Sequence, residues 1–87
     1  MNNPQLVANL IWRETDDGIV VVDPTEGNVR VLNGVGSEVW KLVSQQWDTQ
    51  KIQQRIAENY HISAEQAEAD VKAFLTQLSE RNMIIWN

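Results

Sequence analysis

The run Ile19-Val20-Val21-Val22-Asp23 restricts this chain more than any other segment, because of what brackets it. On one side stands Thr15-Asp16-Asp17-Gly18, on the other Pro24-Thr25-Glu26-Gly27. β-Branched side chains are stiff at χ1 and fit a pleated strand. Asp-Gly supplies the positive φ that a tight hairpin needs. Pro presets one dihedral of the second turn and Gly closes it. Turns this short leave no room for a crossover, so the strands on either side must run antiparallel to the central one. Leu6 to Glu14 supplies the strand before, with Leu10 and Trp12 on one face. Asn28-Val29-Arg30-Val31-Leu32 supplies the strand after. The prediction is a three-stranded meander. Its unbroken apolar centre is expected to be covered on both faces, and its third strand to lie at an edge.

Beyond Asn33 the composition turns to Ala, Gln, Glu, Leu and Lys, which favours helices. Ser37 is the expected cap of a first helix whose apolar stripe is Val39, Trp40 and Val43. Asp48 or Thr49 caps a second, on which Ile52, Ile56 and Tyr60 recur at i, i+4, i+8. Ser63-Ala64-Glu65-Gln66 is a capping-box pattern opening a third. On that helix Ala67, Val71, Phe74, Leu75 and Leu78 share a stripe, and Asn82 can end it. Met83 to Trp86 is a short apolar tail, a strand or a packed cap. The fold class is α+β and winged-helix-like, an N-terminal three-stranded antiparallel β-meander followed by three α-helices, in a single domain over residues 1–87.

Much chemistry is missing. In 87 residues there is no cysteine, so disulfides, thiolate nucleophiles and thiolate-bound metals are excluded. The one histidine, His61, sits at the junction of the second and third helices and reads as a capping or packing residue, not a base. Asp16, Asp17, Asp23 and Glu26 lie in turns and read as turn-forming and solvated, without the dense alternation of acids that an oxygen-ligand metal site needs. Asn33-Gly34-Val35-Gly36-Ser37 has neither the third glycine of a dinucleotide fingerprint nor the lysine of a P-loop. No catalytic residue, cofactor or metal is expected. The longest apolar run is far short of a membrane span, and the first ten residues lack a basic-then-apolar signal pattern. A cytoplasmic protein with no membrane partner is the simplest expectation.

A meander with three helices also invites a winged-helix DNA-binding reading, with the third helix in the major groove. Charge opposes it. Twelve acidic residues face seven basic ones, a net charge of −5. The third helix exposes Glu65, Glu68, Asp70 and Glu80 against Lys72 and Arg81. Nucleic acid is therefore not an expected partner. Four tryptophans remain. Trp40 belongs to the core, while Trp12, Trp47 and Trp86 either cover core edges or anchor a partner. A subunit that stabilises an enzyme through Trp47 or Trp86 is a third reading.

One set of residues, in order and spacing, resembles a known family. It comprises Asp17-Gly18, Val22-Asp23, Gly27, Leu32-Asn33-Gly34-Val35-Gly36, Val39-Trp40, Tyr60, Ala69-Asp70-Val71, Phe74-Leu75, Leu78 and Met83-Ile84. Leu-Asn-x-x-Gly after an edge strand, followed by Asp-Val-x-x-Phe-Leu-x-x-Leu on the last helix, is similar to the PqqD-like family, over roughly residues 15–85. These are the precursor-peptide recognition elements of ribosomal peptide natural-product pathways. The hairpin Asp-Gly-Ile-Val-Val-Val-Asp looks most like the stand-alone members of lasso-peptide pathways.

The resemblance implies a non-catalytic adaptor that binds the leader segment of a precursor peptide. It would deliver the leader to processing enzymes. Those are a leader peptidase and a cyclase in the lasso case, a radical enzyme in the quinone-cofactor case. It implies that the leader adds as a strand along Asn28, Val29, Arg30, Val31 and Leu32. An edge strand offers unpaired backbone groups, and only Arg30 among these residues carries an edge-protecting charge. The third helix would form the other wall, through Ala67, Asp70, Val71, Ala73, Phe74 and Gln77. Asp70 falls where the family commonly has an acid and would meet a basic residue or backbone amide of the leader. Ala67 and Ala73 would leave room for an aromatic ring on Val71 and Phe74. On a helical wheel, Gln66, Asp70, Ala73 and Gln77 occupy one flank of the core stripe and Glu68, Lys72 and Ser79 the other. Either flank can face the sheet edge.

Overall fold

The computed structural model describes residues 3–8, 10–23 and 26–86. The chain runs β1 (Pro4–Leu6), β2 (Trp12–Thr15), β3 (Gly18–Val22), β4 (Val29–Leu32), α1 (Val35–Ser44), α2 (Thr49–Tyr60), α3 (Ala64–Glu80) and β5 (Ile84–Trp86). β2, β3 and β4 form the expected antiparallel meander in sheet order β2-β3-β4. Thr15 pairs with Gly18 across the first turn, where Gly18 adopts φ 141. In the second turn the Gly27 N–H donates to the Asp23 carbonyl at 2.7 Å, and Gly27 adopts φ 74. Pro24 and Thr25, which the sequence places in that turn, lie outside the described residues.

Three expectations about the strands need correction. The strand expected from Leu6 to Glu14 is two strands in two sheets. Pro4–Leu6 pairs with Ile84–Trp86, and only Trp12–Thr15 joins the meander. The C-terminal tail is the reason: it gives the first residues a partner that local sequence does not reveal. The central strand is covered on one face only. Ile19 and Val21 are buried under the helices, while Val20 and Val22 are half-buried on the outer face. The three helices form one layer, and one layer covers one side of a sheet. Asp23, read as a solvated turn acid, is 1% exposed.

The helix caps follow local chemistry with one exception. Asp48 caps α2, accepting from the Lys51 N–H at 2.8 Å. Ser63 caps α3, accepting from the Gln66 N–H at 3.0 Å. Ser37 does not cap α1. The helix already starts at Val35 from an N-cap at Gly34, whose φ of 57 is open to glycine at no steric cost. The Ser37 hydroxyl donates back to the Gly34 carbonyl at 2.9 Å. At its other end α2 stops on His61, in left-handed conformation (φ 54) and solvent-exposed, a C-cap as expected. Tyr60, read into the apolar stripe, is exposed because it is the last helical residue before that turn. Asn82 (φ 61) turns the chain from α3 into β5.

The core lies between the meander and the helices. Trp40 is fully buried at its centre, and Trp12 meets it edge to face with ring centroids 5.8 Å apart. Ile52 and Ile56 from α2, and Ala67, Val71, Leu75 and Leu78 from α3, close it. Lys41 on α1 reaches Glu14 on β2 at 3.2 Å. That carboxylate raises the Lys41 ammonium above its ordinary value. Trp47 packs at the core margin with the Arg55 guanidinium 4.9 Å from its ring centroid. Trp86 is half-exposed on β5.

Candidate functional site

The site begins with hydrogen-bond phase along β4. The Asp23 N–H donates to the Asn28 carbonyl at 2.6 Å, and the register continues as Val22↔Val29, Val21↔Arg30, Val20↔Val31 and Ile19↔Leu32. In an antiparallel ladder, mutually bonded pairs alternate with pairs whose backbone groups point away from each other. Asp23 with Asn28 is a bonded pair, so Val21 with Arg30 and Ile19 with Leu32 are bonded too. Val29 and Val31 therefore turn their N–H and C=O groups outward. No strand among the described residues lies on that side, because the tail that could have covered it pairs with β1 instead.

The same register assigns side chains to faces, since residues directly opposite each other share one. Arg30 and Leu32 lie on the helix side with Val21 and Ile19. Val29 and Val31 lie on the outer side with Val22 and Val20. Ile11 joins that outer side, its carbonyl accepting from the Val22 N–H at 3.0 Å. Ile11, Val29 and Val31 are 68%, 64% and 60% exposed. The outer face is thus an apolar stripe ending at the open edge.

Helix α3 is pinned beside this edge at two points. At one end Arg81, its C-cap, donates to the Asp23 carboxylate at 2.9 Å and approaches Glu26 at 3.4 Å. At the other, the Phe74 ring lies on Gly36, where an added Cβ would stand 3.1 Å from Cε1. Asp23 precedes β4 and Gly36 follows it, so α3 runs antiparallel to β4. The open flanks of α3 are thereby distinguished. Phe74, Arg81, Asp70 and Gln77 follow one another around the side toward the sheet. Glu68 and Lys72 face α2, sharing a concavity with Gln50 and Gln53.

Of the residues singled out from the sequence, the structure places most on the β4 edge or on the part of α3 beside it. Asn28, Val29 and Val31 are exposed on the edge and Arg30 is half-buried there. Asp70 and Phe74 are half-buried on α3, and Ala73 and Gln77 are exposed. The Gln66 amide donates to one Asp70 carboxylate oxygen at 2.8 Å. Ala67 and Val71 are different: both are 0% exposed, so they support the wall from beneath and offer no surface for a ring. Leu32 is likewise a core residue whose side chain is covered.

The Asp23–Arg81 tie was not expected. Its signal was parity, since Asp23 follows Ile19 and Val21 in alternation and so continues the buried face. The Glu26 N–H donates to its Oδ1 at 3.2 Å, and the hydrogen bond with Asp23 raises the Arg81 guanidinium further above its ordinary value. Asp23→Ala removes acceptors for both the Glu26 amide and Arg81 and should cost about 2 kcal/mol in urea unfolding. An unchanged midpoint would show that the tie carries no stability.

Other concavities lie away from this edge. One of about 410 Å³ sits between α2 and α3, lined by glutamine and glutamate side chains with Ala57 and Ala64. An added strand needs an open edge and not a cavity, so size does not decide the site. Among the described residues no three His, Cys, Asp or Glu side chains gather to hold a metal ion, and no helix is long and apolar enough to cross a membrane.

No curated protein matches the sequence. Three solved structures share its fold. A lasso peptide synthetase B1 complexed with the leader peptide is 23% identical at TM-score 0.83, covering 95% of this chain and 98% of its own. TbiB1 in complex with the TbiA(beta) leader peptide is 22% identical at TM-score 0.84, covering 92% and 93%. The PqqD truncation of Methylobacterium extorquens PqqCD, a stand-alone recognition element for ribosomally synthesised and post-translationally modified peptides, is 21% identical at TM-score 0.75, covering 95% and 88%. Residues 18–84, from the first hairpin glycine through the last helix to β5, match the family of coenzyme PQQ synthesis protein D (PqqD), and the chain belongs to that family.

Proposed function

We propose that this protein is a non-catalytic adaptor, a single recognition domain that binds the leader segment of a ribosomally made precursor peptide and presents it to processing enzymes. The observation that carries the reading is the open β4 edge, with the backbone groups of Val29 and Val31 facing outward beside α3. A peptide strand added there satisfies those groups and takes its affinity from the backbone. Two proteins of the same fold are seen with leader peptides, and one of them is a lasso peptide synthetase B1, which favours a leader peptidase and a cyclase as the enzymes served. The family match supports a second pathway, in which the precursor is modified by a radical enzyme. The adaptor role is the same in both.

The leader must be released after processing, so micromolar to nanomolar affinity suits the task. Titrating isotope-labelled protein with the leader half of a candidate precursor should move the amide signals of residues 28–32 and 66–78 together. Movement confined to α1 and α2 would remove the groove from consideration. Asp70 supplies a directional contact in this reading. Gln66 holds one of its carboxylate oxygens, and the other is available to a leader amide or cation. Asp70→Asn should weaken leader binding by about 1–2 kcal/mol through loss of a charge-assisted hydrogen bond. Equal affinities by calorimetry would show that Asp70 is only a solvated flank residue.

A further inference from the structure

We infer that the leader carries an acidic side chain, one that faces the helix side of the added strand and pairs with Arg30, so that Arg30 sets which peptides this edge accepts. The inference rests on the strand-addition reading and names a feature of its ligand.

Two observations lead to it. The first is placement. Arg30 is opposite Val21, so its side chain emerges on the helix side of β4, into the space bounded by α3. It is half-buried, unlike Val29 and Val31 on the outer face. The second is pairing. Lys41 is matched by Glu14 and Glu38, Lys72 by Glu68, and Arg81 by Asp23 and Glu26. Arg30 has no carboxylate within salt-bridge distance among the described residues; Arg13, Lys51 and Arg55 have none either, but those three are exposed, and Arg30 alone among the unmatched cations is half-buried.

The geometry of α3 explains why none reaches it. Arg30 lies two residues along β4 from Asn28, about 7 Å from the level of the Asp23–Arg81 tie. The helix returns at about 1.5 Å per residue, so the α3 residue at the level of Arg30 is near Gln77, which is neutral. Asp70 is about two turns further along and already engages Gln66. A guanidinium in a half-covered groove, with a neutral wall opposite, suits a carboxylate brought in by the guest.

Alternation supplies the rest of the pattern. In a strand added along β4, residues opposite Val29 and Val31 share the outer apolar face and extend the stripe of Val20, Val22 and Ile11. The residue between them is opposite Arg30 and points into the groove. The recognised segment therefore reads apolar, acidic, apolar, with the acid flanked by side chains suited to a β-sheet surface.

The test needs no known leader. A displayed library of random peptides, each about twelve residues and so longer than an ordinary strand, is selected against the native protein and against Arg30→Glu. Both proteins are first shown to melt alike. The native protein should enrich peptides with Asp or Glu between two apolar or β-branched residues, and Arg30→Glu should enrich Lys or Arg at that place. A synthetic peptide from the native selection should bind Arg30→Glu about 30-fold more weakly. Peptides that shift the amides of residues 29–32 yet show no preference for an acid, and no exchange of charge in the variant, would overturn the inference and leave strand addition standing. Selected peptides that leave those amides unmoved, or a selection that enriches nothing, would overturn strand addition and the inference with it.

Discussion

Val31→Pro should leave the protein folded and take away its leader binding. The Val31 N–H points out of the sheet, because Val20 and Val31 form a pair whose backbone groups turn away from each other. Proline at an edge position whose N–H faces solvent costs the sheet no ladder bond. It costs a guest strand its donor, and the ring occupies the place where the guest's carbonyl would come. One lost hydrogen bond is worth about 1 kcal/mol, and displacement of the guest adds loss of the contacts at Val29, for a total weakening of at least about 30-fold. Arg30→Pro is the contrast. Its N–H is bonded to β3, so the same substitution one residue earlier should lower the melting temperature. Fluorescence melts and leader titration of the two variants separate these effects. Undiminished affinity in a folded Val31→Pro protein would mean that the leader does not add to this edge through that amide.

Gly18→Ala should be among the most damaging single changes in the chain. Gly18 adopts φ 141, a conformation strained for any L side chain, and a Cβ built on it would overlap the Leu32 carbonyl oxygen. That oxygen belongs to the last residue of β4, and Ile19 beside Gly18 pairs with the same residue. Relief requires the first hairpin to move away from β4 or the end of β4 to bend. Backbone strain with overpacking of this kind costs about 3 kcal/mol or more. For a domain of this size that lowers the melting temperature by roughly 12 °C or more. Gly27→Ala is a useful comparison, since Gly27 has positive φ (74) but, among the described residues, no atom within 4 Å of an added Cβ. It should cost about 1 kcal/mol, from conformation alone. Equal melting of the two variants would show that the Leu32 carbonyl is not an obstacle.

The groove depends on both effects. Gly18 lets the hairpin close tightly against the end of β4, and the outward amides of β4 are useful only if that strand is held straight. Asp23 and Arg81 then set the distance to α3 at one end, and Phe74 on Gly36 sets it at the other. A guest strand added at this edge would find its neighbours already fixed by the fold, which would lower the ordering cost of binding.

Short-range chemistry was legible in the residues themselves. Asp17-Gly18 and the glycine of the second turn dictate a meander. Asp48 and Ser63 dictate where α2 and α3 begin, because a cap needs only a side-chain oxygen three residues before an amide. The place of Asn28–Leu32 as the outer strand of the meander itself follows from the same turns. The spacing of Leu-Asn-x-x-Gly and Asp-Val-x-x-Phe-Leu-x-x-Leu carried the family.

Only the tertiary structure decided the rest. Whether Met83–Trp86 paired with β4 or with Pro4–Leu6 was a choice between strands remote in sequence, and it is what leaves the edge open. Which face of Ile19–Val22 is covered depended on the side the helices took. Asp23 looked like any turn acid until Arg81, 58 residues later, came to meet it. The flank of α3 that borders the edge was equally open on a helical wheel, which is symmetric about its apolar stripe. Turns and caps are settled by neighbours a few residues away, while sheet partners, buried faces and groove walls are settled by which distant surfaces exclude water together.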